Sequence, residues 1–314
     1  MRRVGRARWI LSTPTATPRV GRRELAWLLS SVAFVVGSLP SVARAAITPP
    51  PKIAVIVLEN TERADVVGQP TAPFMNAMIA AGTEFADYHG FPGSAHDYRA
   101  MVGGEQTASV PVSNNLYHQF DAEGVGWVNL EESMGGNCGV DRSPNLVPGS
   151  GDVLYANGHD PAYQYRANTT CGTNDQPLTA DAQLQSLPSF SYIVPNNCDN
   201  AHTFPAGGDC PAYFGTNHGS DRIELADAWV AHVVGVITAA DPSVTVFVTF
   251  DESTNATQQL VYAAAIGPQM VGGVQDATHY DHYSFCAGVW QAYGLSGVAP
   301  NDAATAMPLP LVPA

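Results

Sequence analysis

The stretch KIAVIVLEN, residues 52–60, constrains the fold more than any other segment of the chain. Its apolar run from Ile53 to Leu58 is mostly β-branched and is interrupted only by a small alanine. A continuous apolar run is typical of a strand covered on both faces, as in a parallel sheet flanked by helices. The run ends directly in Glu59 and Asn60. We therefore expect a carboxylate and an amide at the end of a buried strand.

Further segments alternate between strand and helix patterns. Three apolar runs predict strands at 190–194, 244–250 and 260–266. Helical patterns alternate with them at 72–81, 98–103, 221–237 and 283–293. This order predicts an α/β fold, a three-layer α/β/α arrangement around a mostly parallel central sheet.

The first 45 residues have the pattern of a secretory signal peptide. Two arginines precede an apolar stretch from Leu25 to Leu39, which is shorter than the ~20 residues of a membrane span. Ala43–Ala45 provides a small-x-small cleavage site, and residues 1–19 are compatible with an over-long gene start. We expect the mature chain to be secreted, or to lie in the periplasm or cell envelope. We expect no later segment to span a membrane.

Residues 46–314 are predicted to form a single domain, in which residues 105–186 are a loop-rich insertion with few clear periods. The leader holds eight arginines and one glutamate, so its removal changes the formal net charge from −14 to −21. A chain this acidic repels a nucleic-acid backbone, and we expect no nucleic-acid partner. It also lacks a basic or aromatic docking stripe, so we expect no stable membrane association.

Five cysteines are present, and no C-x-x-C motif occurs. In an exported chain, the spacings favour disulfides between Cys138 and Cys171 and between Cys198 and Cys210. Cys286, in a predicted helix, is the candidate for the unpaired residue.

Polar residues follow three of the predicted inner strands. They are Glu59 and Asn60, then Asn197, Asp199 and His202, then Asp251 and Glu252. Neighbouring parallel strands end ~4.8 Å apart, so these side chains are predicted to converge. Three carboxylates and an amide favour a hard divalent cation such as Mg, Ca or Mn, with Zn or Fe as alternatives. Either acidic pair alone is equally explained as a strand-to-loop turn on a soluble face.

Six blocks occur along the chain: VIVLEN (55–60), PGSAHDY (92–98), HDPAYQY (159–165), FSYIVPNNCDNAH (190–202), VTFDES (248–253) and DHYS (281–284). In this order they resemble the bacterial phosphoesterase family. That family contains acid phosphatases and phosphatidylcholine-type phospholipases C, and it belongs to the alkaline phosphatase superfamily. The resemblance covers nearly all of residues 46–314 and implies an alkaline-phosphatase-like fold.

The resemblance also implies roles for particular residues. The implied metal ligands are Glu59, Asn60, Asp251 and Glu252. Ser94 is implied to be the nucleophile, with its oxygen also contacting the metal. The residues implied to surround the phosphate and handle protons are His159, Asp199, His202 and His282. The second block departs from the family pattern P-S-x-P-N-Y, because Gly93 precedes the serine and Asp97 replaces the asparagine.

The chemistry of these residues supports the same interpretation. Ser94 precedes a short predicted helix, so its hydroxyl and the helix N–H groups can face one anion, although an ordinary helix cap is the alternative. Arg99 is the only basic residue near a motif. A cation must therefore supply most of the attraction for a phosphate. His279 is either a ligand or a bystander.

Together these features predict a metal-dependent phosphoesterase that hydrolyses small phosphomonoesters through a serine nucleophile, as an acid phosphatase does. A phospholipase C-type phosphodiesterase is the alternative within enzymes. A non-catalytic surface protein stabilised by its metal is the alternative from another class.

Overall fold

An eight-stranded mixed sheet forms the centre of the protein in the computed structural model, which describes residues 51–106, 114–139, 146–213 and 215–312. The predicted signal peptide lies outside these residues. Ten strands occur within them: β1 Lys52–Leu58, β2 Thr83–His89, β3 Trp127–Glu132, β4 Asp175–Leu178, β5 Phe190–Val194, β6 Asp209–Ala212, β7 Gly215–His218, β8 Val244–Phe250, β9 Ala263–Ile266 and β10 Val274–Asp281.

The strand order in the large sheet is β10-β2-β9-β8-β1-β5-β3-β4. β9 is antiparallel to both of its neighbours, whereas every other adjacent pair in this sheet is parallel. β6 and β7 form a separate antiparallel hairpin. The sheet is therefore mostly parallel, as predicted.

Eight α-helices lie in the described ranges: α1 Pro73–Ala81, α2 Ser94–Gly103, α3 Leu116–Glu123, α4 Pro161–Gln164, α5 Cys171–Asn174, α6 Asp181–Leu184, α7 Arg222–Ala240 and α8 His282–Ala292. Helices α1 and α6 contact α7, while α3, α4 and α8 contact α2. Since every residue from Ile53 to Leu58 in β1 is buried, both faces of the sheet are covered. The fold is the predicted α/β/α arrangement, and residues 46–314 form one compact unit.

The central strands explain why the long apolar runs predict the fold so well. β1 lies between β5 and β8, with Ile53 opposite Phe190 and Leu58 opposite Phe250. Each of these side chains is at most 1% exposed. Burial of several such apolar side chains contributes ~2 kcal/mol apiece and favours this pairing.

The loop-rich insertion predicted for residues 105–186 is wrong in part. This region contains α3, β3, α4, α5, β4 and α6, and its two strands extend the large sheet. β3 and β4 show no apolar periodicity because several of their buried side chains are polar, including Asn129, Glu131 and Asp175. These side chains hydrogen-bond to one another instead of packing as hydrocarbon.

Within the part of the chain that the structure describes, α7 has the length and apolar composition of a membrane span, contrary to the sequence expectation. Half of that stretch is buried, and Trp229, Val233 and Ile237 belong to the core. Core helices of layered folds pass the same test of length and composition. The feature is therefore weak evidence for a membrane.

The predicted disulfides, Cys138–Cys171 and Cys198–Cys210, are both present, and Cys286 is a buried free thiol. The first bridge joins the segment after β3 to α5, directly before β4, and the second joins the segment after β5 to β6.

Candidate active site

The carboxyl ends of β8, β1 and β5 are neighbours, as the sequence predicted. The backbone N–H of Asp251 donates to the carbonyl oxygen of Leu58 at 2.8 Å, and that of Glu59 donates to the carbonyl oxygen of Asn200 at 2.8 Å. The first bond extends the pairing of β1 with β8 past the end of β8, and the second joins the end of β1 to the loop that follows β5. The side chains that follow β1 and β8 are thereby brought to one place.

Three carboxylates form the centre of this region. One oxygen each of Asp97, Asp251 and Glu252 lie within 4.8 Å of one another. Oδ1 of Asp251 accepts the backbone N–H groups of Asn60 at 2.9 Å and of Glu252 at 2.5 Å. Oδ2 of Asp251 and Oδ2 of Asp97 are buried and have no hydrogen-bond partner among the residues described. Burial, and after it the negative charge of the neighbouring Asp251, raise the pKa of Asp97 to about 11.

Glu59 is fully buried beside this cluster. Its carboxylate accepts hydrogen bonds from the Asn60 amide at 2.7 Å, the Tyr98 hydroxyl at 2.9 Å and the Ser94 hydroxyl at 3.2 Å. Burial raises the pKa of Glu59 to about 7 despite these donors. A nearby cation would offset that cost of ionisation.

Ser94 is the first residue of α2, and its hydroxyl lies between two carboxylates. Its Oγ is 3.2 Å from Oε2 of Glu59 and 3.1 Å from Oε1 of Glu252. The preceding Gly93 has φ of 106° and donates its N–H to Oε2 of Glu252 at 2.8 Å. Among the first N–H groups of α2, that of His96 donates to the carbonyl oxygen of Gly93 at 2.7 Å. The N–H groups of Ser94 and Ala95 lack an intrahelical acceptor and can face an anion.

Two of the predicted histidines border this group. Nε2 of His159 lies 3.2 Å from Oε1 of Glu59, and its ring stacks on Tyr98 at a centroid distance of 5.4 Å. Burial lowers the pKa of His159 to about 4, so this ring is neutral near pH 7. His202 is exposed, and its Nδ1 lies 2.7 Å from Oγ1 of Thr203. Partial burial lowers the pKa of His202, and the nearby His159 lowers it further.

His282 lies behind the cluster, away from solvent. Its Nε2 is 2.5 Å from the carbonyl oxygen of Asp251 and 3.3 Å from Oδ1 of Asp97, and its Nδ1 is 3.0 Å from the Tyr88 hydroxyl. The side chain is 0% exposed, and burial lowers its pKa to about 4. The expected role of His282 in protonating a leaving group does not fit this position. The ring is placed to hold Asp251.

Asp199 is also buried, on the other side of β5. Its Oδ1 accepts a hydrogen bond from Asn217 at 3.0 Å, and Glu132 is its acidic neighbour. Burial raises the pKa of Asp199 to about 7. Over the described ranges, no hydrogen bond connects its side chain with Ser94 or Glu59. Its contacts hold the loop after β5, where His202 lies.

Sequence reasoning missed three residues of this region, Asp97, Tyr98 and Arg222, and misplaced a fourth, Arg99. Tyr98 supports both Glu59 and His159, and it lies one helical turn after Ser94. Arg222, at the start of α7, donates to Oγ1 of Thr61 at 2.6 Å and to the carbonyl oxygen of Ala201 at 2.7 Å. Arg99 instead contacts Gln164 and the carbonyl oxygen of Gln106, outside the cluster. Of these residues, only Arg222 had a local sequence signal for its position: it directly follows Asp221, which caps the start of α7.

The donor set fits a hard divalent cation. Several carboxylates lie together in a buried place, and two of their oxygens lack any donor. Such an arrangement is repulsive unless protons or a cation neutralise it. The residues that could hold a cation here are Glu59, Asn60, Ser94, Asp97, Asp251 and Glu252.

The site combines carboxylates and a serine hydroxyl beyond the ends of parallel strands, as hydrolases can. Comparison with known proteins gives the class of protein. The family model described as "Phosphoesterase family" matches residues 67–296, which is more than half of the chain. The chain therefore belongs to the phosphoesterase family. It is an enzyme that hydrolyses phosphoric ester bonds.

Three curated relatives align over most of the chain. A "Probable acid phosphatase" of Kluyveromyces lactis is 24% identical, with 92% of this chain and 67% of the relative covered. A "Phosphatidylinositol-3-phosphatase" of Mycobacterium tuberculosis is 24% identical, with 87% and 88% covered. An "Acid phosphatase" of Aspergillus fumigatus is 23% identical, and the match spans 78% of this chain and 55% of the relative.

Solved structures show the same fold at low sequence identity. A protein in the alkaline phosphatase superfamily from Vibrio parahaemolyticus has a TM-score of 0.56 and 10% identity, with 83% of this chain and 70% of that chain covered. The lipoteichoic acid synthase LtaP from Listeria monocytogenes has a TM-score of 0.51 and 9% identity, with 82% and 76% covered. The predicted alkaline-phosphatase-like fold is confirmed.

Proposed function

We propose that this chain is a metal-dependent phosphomonoesterase in which Ser94 is the nucleophile. The observation that carries the proposal is the position of the Ser94 hydroxyl, at the start of α2 and within 3.2 Å of both Glu59 and Glu252. Two of the three relatives are named acid phosphatases, which supports a monoester substrate. The expected substrate is a small phosphorylated molecule.

In this mechanism the substrate phosphate lies against the N-terminus of α2, where backbone N–H groups stabilise its negative charge. Oγ of Ser94 attacks phosphorus, and the P–O bond to the leaving alcohol breaks. The hydroxyl proton passes to one of the adjacent carboxylates, Glu59 or Glu252, which both lie at hydrogen-bond distance. Water then hydrolyses the phosphoserine, which releases phosphate and restores the hydroxyl.

The histidines differ in their proposed roles. His202 is exposed beside the site, so it is proposed to give a proton to the leaving oxygen. His159 is neutral and buried against Glu59, and it is proposed to orient that carboxylate. The fully buried His282 and Asp199 are proposed to position loops.

The proposal includes a cation because the acidic side chains of the site would otherwise repel an anionic substrate. Glu59, Asp97, Asp251 and Glu252 would repel a phosphate, and the guanidinium of Arg222 is bonded to Thr61 and to the backbone. These oxygens would hold a divalent cation, which would supply Lewis-acid stabilisation of the transferring phosphoryl group. Oxygen-rich donors favour Mg, Ca or Mn. The predicted leader and the two disulfides support a location outside the cytoplasm.

The test is hydrolysis of a chromogenic phosphomonoester by the purified chain with each metal, compared with hydrolysis of phosphatidylcholine. Ser94→Ala should lose at least ~1000-fold in turnover, because no nucleophile remains. Ser186→Ala, an exposed helix-end serine, is the matched control and should retain activity. A phosphorylated Ser94 peptide, trapped by rapid acid quench, would support the intermediate directly.

Three results would overturn parts of the proposal. Preferred turnover of phosphatidylcholine would favour the phosphodiesterase alternative. Absence of turnover on both substrates with every metal, in a folded protein, would favour the non-catalytic alternative. Full activity of Ser94→Ala would remove the nucleophile assignment.

A further inference from the structure

A second group of metal-type ligands lies at the ends of β2 and β10, apart from the site described above. Asp87 and His89 are on β2, and His279 is on β10, directly opposite Asp87. Nε2 of His89 is 2.9 Å from Oδ1 of Asp87, and Nδ1 of His279 is 3.1 Å from Oδ2 of the same residue. The two imidazole rings lie 4.8 Å apart. One carboxylate thus bridges two imidazoles on neighbouring strands.

Both ring nitrogens of His89 face hydrogen-bond acceptors. Its Nδ1 is 2.8 Å from the carbonyl oxygen of Gln258, while its Nε2 faces a carboxylate oxygen. Both partners are acceptors, but a neutral imidazole has one N–H. With Nδ1 donating to the carbonyl, the lone pair of Nε2 points at Asp87. Either a second proton or a cation is needed between them.

The pattern of contacts is that of a metal-ligating histidine. Such histidines donate the ring nitrogen that does not bind the metal to a backbone carbonyl or carboxylate, which fixes the tautomer. Gln258 provides that carbonyl here. Ligand atoms ~2.0–2.2 Å from a tetrahedral ion stand ~3.3 Å from one another. The ligand atoms of Asp87, His89 and His279 lie within 4.8 Å of one another, and the two nitrogens face different oxygens of Asp87 at 2.9 and 3.1 Å. One ion can therefore be shared once the ligand atoms move together by up to ~1.5 Å.

The charge of Asp87 and the exposure of the three side chains also favour a bound cation. Hydrogen bonding to His89 holds the pKa of Asp87 below its usual value, so the carboxylate is ionised. The side chains are 43% exposed for Asp87, 25% for His89 and 66% for His279, so an ion can reach them from solvent.

We propose that Asp87, His89 and His279 bind a borderline transition-metal ion such as Zn²⁺ or Co²⁺, with a fourth position open to water. Two imidazoles and one carboxylate are the donors that such ions prefer, in contrast to the all-oxygen cluster around Asp251. The bound ion joins the ends of β2 and β10. Those strands lead directly to Gly90 and to His282, so the ion would brace the segments that border the cluster.

The proposal is tested by counting zinc ions bound to tag-free protein above pH 7, by equilibrium dialysis and elemental analysis in excess Mg²⁺. The wild type should bind one Zn²⁺ more than His89→Gln/His279→Gln, with affinity at that position at least ~10-fold weaker in the double variant. His218→Gln is the matched control. It removes an exposed histidine that pairs with Asp209 alone, and zinc binding should be unchanged.

Further readouts separate a lost ligand from a damaged fold. Co²⁺ at this site should give the visible absorption of an imidazole-coordinated ion, and the double variant should lose that band. Its far-ultraviolet circular dichroism and its turnover with Mg²⁺ should stay within ~2-fold of the wild type. Asp87→Asn, which keeps both rings, should also weaken binding. Equal zinc stoichiometry and affinity in the wild type and the double variant would overturn the proposal and leave the cluster as a proton-bridged group.

Discussion

The hydroxyl of Ser94 lies 3.1 Å from Oε1 of Glu252, although 158 positions separate the two residues in the chain. The backbone N–H of Gly93 reaches the other oxygen of the same carboxylate at 2.8 Å. A single glutamate therefore contacts both the proposed nucleophile and the residue before it. This two-point contact fixes how α2 begins.

Gly93→Ala is expected to misplace Ser94. Its φ of +106° is strained for any side chain, and an added Cβ would stand 3.1 Å from Nδ1 of His96. Turnover should fall ~100-fold, since displacement of a reacting group by ~1 Å costs about that much. Gly68→Ala is the control, because its φ is +78° with no atom within 4 Å of the new Cβ. It should lower stability by ~1 kcal/mol and leave turnover unchanged; equal activity loss in both variants would point to global strain.

Asp97→Asn is expected to weaken cation binding and to stabilise the metal-free protein. The amide can still accept the N–H of Phe91, which lies 2.6 Å from Oδ1, but it cannot ionise to bind a cation beside Asp251 and Glu252. It also removes a carboxyl group whose pKa of about 11 makes it costly to bury at neutral pH. Manganese affinity should fall ~10-fold by calorimetry, while the thermal midpoint without metal should rise. Unchanged affinity would show that Asp97 is protonated and does not contribute to binding.

His282→Gln is expected to reduce turnover without changing its pH dependence. The buried ring joins the Tyr88 hydroxyl to the carbonyl oxygen of Asp251, so its loss should also cost ~2 kcal/mol of stability. Since its pKa is about 4, His282 is not the group that titrates near neutrality. His202→Gln is the comparison and should alter the pH–rate profile. A changed profile in His282→Gln would restore a proton-transfer role to this residue.

Asp175→Asn should become more stable relative to the wild type as pH rises. Burial and the neighbouring Asp160 raise the pKa of Asp175 to about 9 from 3.8, so the folded protein keeps a proton that the unfolded chain loses above ~pH 4. The contribution of Asp175 to the free energy of unfolding therefore decreases as pH rises from ~4 to ~9. The neutral amide of the variant does not titrate, so its stability shows no such decrease. Urea unfolding should show an advantage of at least ~1 kcal/mol by ~pH 9. Asp302→Asn, at an exposed site, is the control; a pH-independent difference for Asp175→Asn would mean that Asp175 is ionised in the fold.

The sequence predicted the centre of the fold because the central strands carry its strongest signal. β1, β5 and β8 match the predicted segments, since continuous apolar runs occur where helices cover both faces. β2 and β10 were missed. β10, with the sequence VQDATHYD, is a mostly exposed edge strand and has no core face to produce a pattern. β3 and β4 were missed because polar residues pair inside the protein.

The residues of the site likewise divide into those that a local sequence pattern predicts and those that it does not. Glu59 and Asp251 were predicted to meet because each directly follows an apolar strand, and the structure brings them together. The partners of Arg222 depend on how α7 packs, which no local pattern encodes. His282 heads a helix in sequence as an exposed residue would, yet tertiary packing buries it completely. The motifs in the sequence indicated which residues lie near the site. The burial of each side chain, which only the structure gives, distinguishes those that can contact a substrate from those that support the site.

The two disulfides close loops that hold two of the histidines bordering the site. His159 lies between Cys138 and Cys171, and His202 lies between Cys198 and Cys210. The carboxylates and Ser94 are anchored by the sheet and α2 and need neither bridge. Protein synthesised where thiols stay reduced should therefore assemble its acidic centre but leave these imidazoles poorly held. Oxidative maturation would then fix His202, the proposed proton donor, and His159, the proposed support of Glu59, after the acidic centre has formed.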